Sequence, residues 1–134
     1  MKINYQNIQL NYELLSEFNP KNKTIVFLHG FTGSANDWSS TAVNVDKRFN
    51  KIAIDLIGHG KSSSPSDINY YLIDSMTQQI EEILNRLNLQ EVILCGYSMG
   101  GRVAVGFAVN SPDRLKGLIL ESASAGIKNK IDCK

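Results

Sequence analysis

Val92-Ile93-Leu94-Cys95-Gly96-Tyr97-Ser98-Met99-Gly100-Gly101-Arg102 carries a short apolar run through a glycine-flanked serine into a helical pattern. The apolar run is continuous rather than alternating, which suits a strand covered on both faces. The pattern from Met99 predicts a helix that stops near Asn110, because Pro112 cannot donate into a continuing helix. A strand passing straight into a helix must turn sharply, and small residues at Gly96 and Gly100 let it turn without side-chain clashes. Such a turn holds Ser98 Oγ proud of the sheet at the positive end of the helix, where developing negative charge is stabilised. Ser98 is therefore the leading candidate for a reactive group. The spacing G-x-S-x-G is meaningful because this strand and this helix flank it.

Working outward, Thr24 to Leu28, Ile52 to Leu56 and Gly117 to Leu120 repeat the continuous apolar pattern. Upstream, Ile3 to Gln6 and Ile8 to Leu14 alternate apolar and polar residues, which predicts an antiparallel hairpin at a sheet edge. Ile68, Leu72, Met76, Ile80, Ile83, Leu84 and Leu87 recur at three- and four-residue steps and predict one amphipathic helix. Gln78, Gln79, Glu82 and Asn85 fall on its polar side. Strands alternating with helices at this spacing imply βαβ crossovers: an α/β sandwich with a mostly parallel sheet and flanking helices.

The 134 residues are 43% hydrophobic and 20% charged, a composition that excludes collagen-like, low-complexity and disordered chains. There is length for one core rather than two. A net charge of +1 offers no electrostatic footprint for nucleic acid or an acidic membrane. No apolar run approaches the roughly twenty residues of a membrane span, and no secretory signal opens the chain, so a cytoplasmic location is expected. Cys95 and Cys133 make no disulfide framework, and with His29 and His59 they show no metal-ligand spacing.

Two further segments bear on chemistry. His29-Gly30-Phe31 follows the first apolar run, with Gly33-Ser34 and Asp37-Trp38 behind it. A loop there can supply one backbone N–H to an oxyanion hole and the residue after the serine the other, which makes Phe31 and Met99 the candidate donors. His29 is a candidate substrate contact; as a base it is less favoured than as a brace of the loop. Asp55-Leu56-Ile57-Gly58-His59-Gly60-Lys61-Ser62 completes neither phosphate-binding glycine pattern and reads as a tight turn, with His59 structural. Arg102, one helical turn past Ser98, is either a solvated helix residue or a bidentate carboxylate donor beside the reacting centre.

Together, the His29-Gly30-Phe31 loop, the Asp55 to Ser62 turn and the Ser98 elbow, in that order, resemble the α/β-hydrolase superfamily. Within it, Gly33-Ser34 with Asp37-Trp38, then Gly96 to Arg102, then Leu120-Glu121-Ser122-Ala123-Ser124 are similar to the 2-succinyl-6-hydroxy-2,4-cyclohexadiene-1-carboxylate synthases of menaquinone biosynthesis. Ile57 and Ala125 stand where these enzymes commonly carry Pro. The resemblance implies a lyase that removes a proton from a succinyl-enolpyruvyl-cyclohexene carboxylate and expels pyruvate. It makes Ser98 the proton-abstracting group, activated by a His–Asp pair, with Phe31 and Met99 N–H groups holding the enolate-like oxygen. Tyr97 and Arg102 become contacts to a small polycarboxylate substrate, and neither metal nor organic cofactor is implied.

The family places an acid and then a histidine after the serine. Here Asp113, Glu121 and Asp132 follow Ser98, but both histidines precede it. Residues 1–134 are accordingly expected to be the N-terminal part of a single α/β-hydrolase domain, weakly active or inactive alone. The strand ending at Glu121 would be an exposed edge that invites self-association. A serine esterase or C–C bond hydrolase on the same scaffold, and a non-catalytic fragment needing a complementary chain, remain alternatives.

Overall fold

The computed structural model describes residues 1–124, so the readings of Ala125, Asp132 and Cys133 lie outside the described residues. Strands β1 (Lys2–Tyr5), β2 (Ile8–Leu14), β3 (Lys23–Leu28), β4 (Phe49–Asp55), β5 (Val92–Tyr97) and β6 (Leu115–Glu121) form one sheet in the order β1-β2-β4-β3-β5-β6. The expected hairpin is present: β1 pairs with β2, and β2 with β4, both antiparallel. The pairs β3–β4, β3–β5 and β5–β6 are parallel. The helices are the short α1 (Ser39–Ala42), α2 (Ile73–Arg86) and α3 (Met99–Asn110).

Alternate residues of the central strands face opposite layers, as the strand period of two requires. Val26, Leu28, Ile52, Ile54 and Leu94 pack with Met76, Ile80 and Leu84 of α2 and Val103 and Phe107 of α3. Ile25, Phe27, Ala53 and Cys95 turn to the other side, where Ala35 and Trp38 cover them. Each large apolar side chain removed from water in this way contributes roughly 1.5–3 kcal/mol. Strand β6 differs: it presents Leu118, Ile119 and Leu120 to solvent, Ile119 at 50% exposure, and its outer edge pairs with no described strand.

The amphipathic stripe is shorter than its spacing suggests. Ile68–Tyr71 is a separate 3-10 turn, closed where the Asp67 side chain accepts from the Asn69 N–H, and Leu72 is extended with ψ 145°. Ile68 and Leu72 are consequently exposed, and the buried stripe begins at Met76. Gln79, expected on the polar side, is buried because its amide nitrogen donates to the Tyr70 carbonyl at 2.9 Å.

Candidate active site

Helix α3 begins one residue after β5, and the approach is so close that only glycine fits. A Cβ on Gly96 would lie 2.5 Å from the Gly100 carbonyl oxygen and 2.6 Å from Gly101 Cα. One on Gly100 would meet the Leu28 carbonyl oxygen and come within 2.5 Å of that of His29. Between them Ser98 adopts φ +50° and ψ −113°, a conformation that costs a non-glycine residue roughly 1–3 kcal/mol. Its N–H donates to the Glu121 carbonyl at 2.9 Å and its carbonyl accepts from the Arg102 N–H at 3.1 Å. Ser98 Oγ makes no hydrogen bond to any described residue.

The loop after β3 lies against this turn. Gly33 N–H donates to the Gly30 carbonyl at 3.0 Å, closing a β-turn with Phe31 and Thr32 at its centre, and Thr32 sits at φ +64°. A Cβ on Gly30 would be 2.8 Å from the Tyr97 ring and 3.5 Å from Ser98 Cβ. Among the described residues the backbone N–H groups of Phe31 and Met99 find no acceptor. Two amides are thus left unspent beside the serine.

The same loop is tied to the end of β4 by buried polar groups. His29 is 1% exposed; its Nδ1–H donates to the Gly30 carbonyl at 2.7 Å and its Nε2 accepts from the Leu56 N–H at 3.0 Å. Burial pushes this imidazole below the usual histidine range, with the bond to Gly30 acting in the opposite direction. Expected as a substrate contact, His29 has both ring nitrogens engaged within the protein and braces two loops. The buried Asp55 carboxylate accepts from Ala35 N–H at 2.7 Å, Asn11 Nδ2 at 2.8 Å and Lys61 N–H at 2.9 Å. Gly60, at φ +53°, passes so close to that carboxylate that a Cβ would collide with it.

Two clefts flank the elbow and share Phe31, which is 74% exposed. One, of about 360 Å³, is bordered by His29, Asp37, Trp38, Tyr97 and Glu121. The other, of about 650 Å³, is bordered by Ile57, His59, Tyr71, Met76 and Met99. Tyr97 borders the smaller cleft, Met99 the larger, and Phe31 both. Arg102 does not join them: it is exposed on α3 and borders neither cleft. Glu121, one of the acids noted after Ser98, borders the smaller cleft; Trp38 was not singled out for the site, and its buried Nε1 lacks a partner among the described residues. Burial pushes the Cys95 thiol up, and Glu121 adds to the effect, so this cysteine is held as a thiol. No group of three or more His, Cys, Asp or Glu side chains among the described residues could hold a metal ion. No helix there is long and apolar enough to cross a membrane.

A family model for the alpha/beta hydrolase fold matches residues 23–132. The chain belongs to the α/β-hydrolase family. A Klebsiella pneumoniae protein named 2-succinyl-6-hydroxy-2,4-cyclohexadiene-1-carboxylate synthase is 34% identical over 105 residues, covering 78% of this chain and 40% of its own. A Bacillus subtilis relative, given the same name provisionally, is 38% identical over 120 residues, or 89% of this chain and 43% of its own. The chain thus spans about two-fifths of the length of the curated relatives it matches. Among solved structures, a deep-sea metagenome alpha/beta hydrolase superposes with a TM-score of 0.83 at 22% identity, over 90% of this chain and 43% of that one. A marine microorganism esterase superposes with a TM-score of 0.80 at 30% identity, over 91% and 44%.

Proposed function

We propose that this chain carries the serine-elbow portion of a lyase that eliminates pyruvate from a succinyl-enolpyruvyl-cyclohexene carboxylate, as the name carried by its relatives suggests. The supporting observation is the strained Ser98, its hydroxyl uncommitted, beside the unspent amides of Phe31 and Met99. In this reading Ser98 removes a proton from the ring, and the electron pair moves onto the adjoining carbonyl as an enolate-like oxygen. The two amides stabilise that oxygen, which is where preorganised donors act most strongly. Collapse of the enolate breaks the ring C–O bond, leaves a conjugated diene and releases pyruvate as its enolate, which recovers the abstracted proton. Tyr97 borders the smaller cleft and His29 braces the loop that holds Phe31.

An unassisted serine is a poor base, so the reaction requires an imidazole to take its proton. His29 cannot serve, since Leu56 N–H occupies its Nε2.

The deciding measurement is pyruvate release by this chain joined to the remaining C-terminal segment of the Bacillus subtilis relative. Release that Ser98→Ala abolishes supports the lyase. Ester hydrolysis with acylation of Ser98 and no pyruvate supports a serine hydrolase instead. That second reading rests on the 30% identity to the marine esterase and on Glu121, a carboxylate at the end of β6 bordering the cleft.

A further inference from the structure

The clefts on either side of the elbow differ in charge. Asp37 and Glu121 both border the smaller one. The larger has no acidic residue in its lining; Phe31, Ile57, Met76 and Met99 give it apolar walls, and His59 is its only imidazole. The phenol of Tyr71 is spent on the Pro65 carbonyl at 2.8 Å. An organic anion entering the smaller cleft meets like charge, which repels it more strongly as water is excluded. In the larger cleft it meets apolar surface, the hydroxyls of Thr32 and Ser64, and one side chain able to carry a positive charge.

That group is preorganised. His59 Nδ1 lies 3.0 Å from the Ile57 carbonyl oxygen, and since a carbonyl only accepts, the proton sits on Nδ1. Nε2, with no partner among the described residues, is left as a lone pair, or as an N–H donor once the ring is protonated. The ring packs edge-on to Phe31 at 5.8 Å between centroids and lies 5.1 Å from His29. Its turn is closed by Gly58 N–H to Ser63 at 2.8 Å, His59 N–H to Leu56 at 2.9 Å and Ser62 N–H to His59 at 3.1 Å. The neighbouring charges are already answered: Lys61 pairs with Glu13 at 2.9 Å, and Asp55 accepts three N–H groups.

We propose that His59 is a substrate-contacting residue whose Nε2 takes up a proton as an organic acid binds and, as an N–H donor, pairs with its carboxylate, the apolar body of the acid lying against Phe31, Met76 and Met99. The inference rests on the lyase reading above and deepens it by choosing the larger cleft for the substrate. It also gives the Gly58-His59-Gly60 turn a task beyond turning the chain.

Two-bond proton–nitrogen spectra of the imidazoles in the 134-residue chain test this directly. The probes are 2-succinyl-6-hydroxy-2,4-cyclohexadiene-1-carboxylate, benzoate and, as the uncharged control, benzamide. The Nε2 resonance of His59 is expected to move toward its protonated position with the dicarboxylate and to stay still with benzamide. His59→Phe should raise the Kd of the dicarboxylate about tenfold, the scale of one hydrogen bond to a charged group. His59→Gln, which keeps an N–H donor, should recover part of that loss. Movement with benzoate but not with the dicarboxylate upholds the carboxylate contact while counting against the lyase reading. Binding of the dicarboxylate with Nε2 unmoved, equal binding by His59→Phe, or no response to either acid overturns the proposal.

Discussion

Around Gly96 and Gly100, helix α3 meets β5 and β3 backbone against backbone, whereas the loops after β3 and β4 are joined through the side chains of His29 and Asp55. The first arrangement is steric: repulsion rises over tenths of an ångström, so it places Ser98 closely and yields to no substitution. The second is polar: its bonds tolerate small displacements but depend on every partner being present and in the right protonation state. A reactive hydroxyl needs exact placement, while amide donors in a loop need their neighbours satisfied, and each side of the site uses the force that suits it.

Gly100→Ala should break the steric side and have the largest effect. Helix propensity alone favours alanine by about 1 kcal/mol. Against that, the new Cβ would overlap the backbone oxygens of Leu28 and His29, which have no rotamer to change. Overpacking against rigid backbone costs roughly 3 kcal/mol or more, so the clash wins. Loss of the cooperative thermal transition, or a midpoint lowered by well over ten degrees, is expected; a raised midpoint would show that the helix start is not pressed against β3.

Asp55→Ala should break the polar side with a somewhat smaller effect. It strands the buried N–H of Ala35 and amide of Asn11, and leaves the half-buried N–H of Lys61 without its acceptor. Each orphaned donor costs roughly 1–3 kcal/mol, partly relieved by water entering the space left behind, so about 3–5 kcal/mol is expected in urea denaturation. Asp55→Asn keeps the volume but turns one acceptor into a donor facing other donors, and should fall between the two.

The steric side was largely legible in the sequence, because glycines around a serine between a strand and a helix have few other uses. The polar side was not. His29 and Asp55 stand 26 positions apart, and nothing local announces that Leu56 N–H will fill the His29 ring. Periodicity also overran at Ile68 and Leu72, since a side-chain count continues across the backbone break at the extended Leu72. Arg102 sat at the right spacing, but spacing along a helix does not say which cleft the side chain reaches. His59 passed as a turn residue because its role depends on the charge of two clefts that only the folded chain separates.

A milder probe of the polar side is pH. The folded state holds His29 in its neutral form more firmly than the unfolded chain does, so below about pH 6.5 the unfolded chain binds more protons. His29 therefore costs nothing above that range, and stability falls as pH drops through it toward the lowered folded value. The midpoint of unfolding should decline between pH 7.5 and 5.5, and His29→Gln, whose amide does not titrate, should flatten that slope while lowering the plateau. An unchanged slope in the variant would assign the acid sensitivity elsewhere.

The smallest effect, and the one most specific to the elbow, should come from Ser98→Gly. At φ +50° and ψ −113° serine carries roughly 1–3 kcal/mol of backbone strain, and glycine carries almost none there. Glycine also gives the unfolded chain more freedom, which offsets roughly 0.4–1 kcal/mol of that relief. No described hydrogen bond to Oγ is lost in the exchange. The variant should therefore be more stable than the parent by about 1 kcal/mol, whereas Ser98→Ala, which keeps the Cβ and the strain, should be close to neutral. A gain for glycine and none for alanine would locate stored strain at the serine of the elbow; equal behaviour of the two variants would remove strain from the account of how its hydroxyl is held.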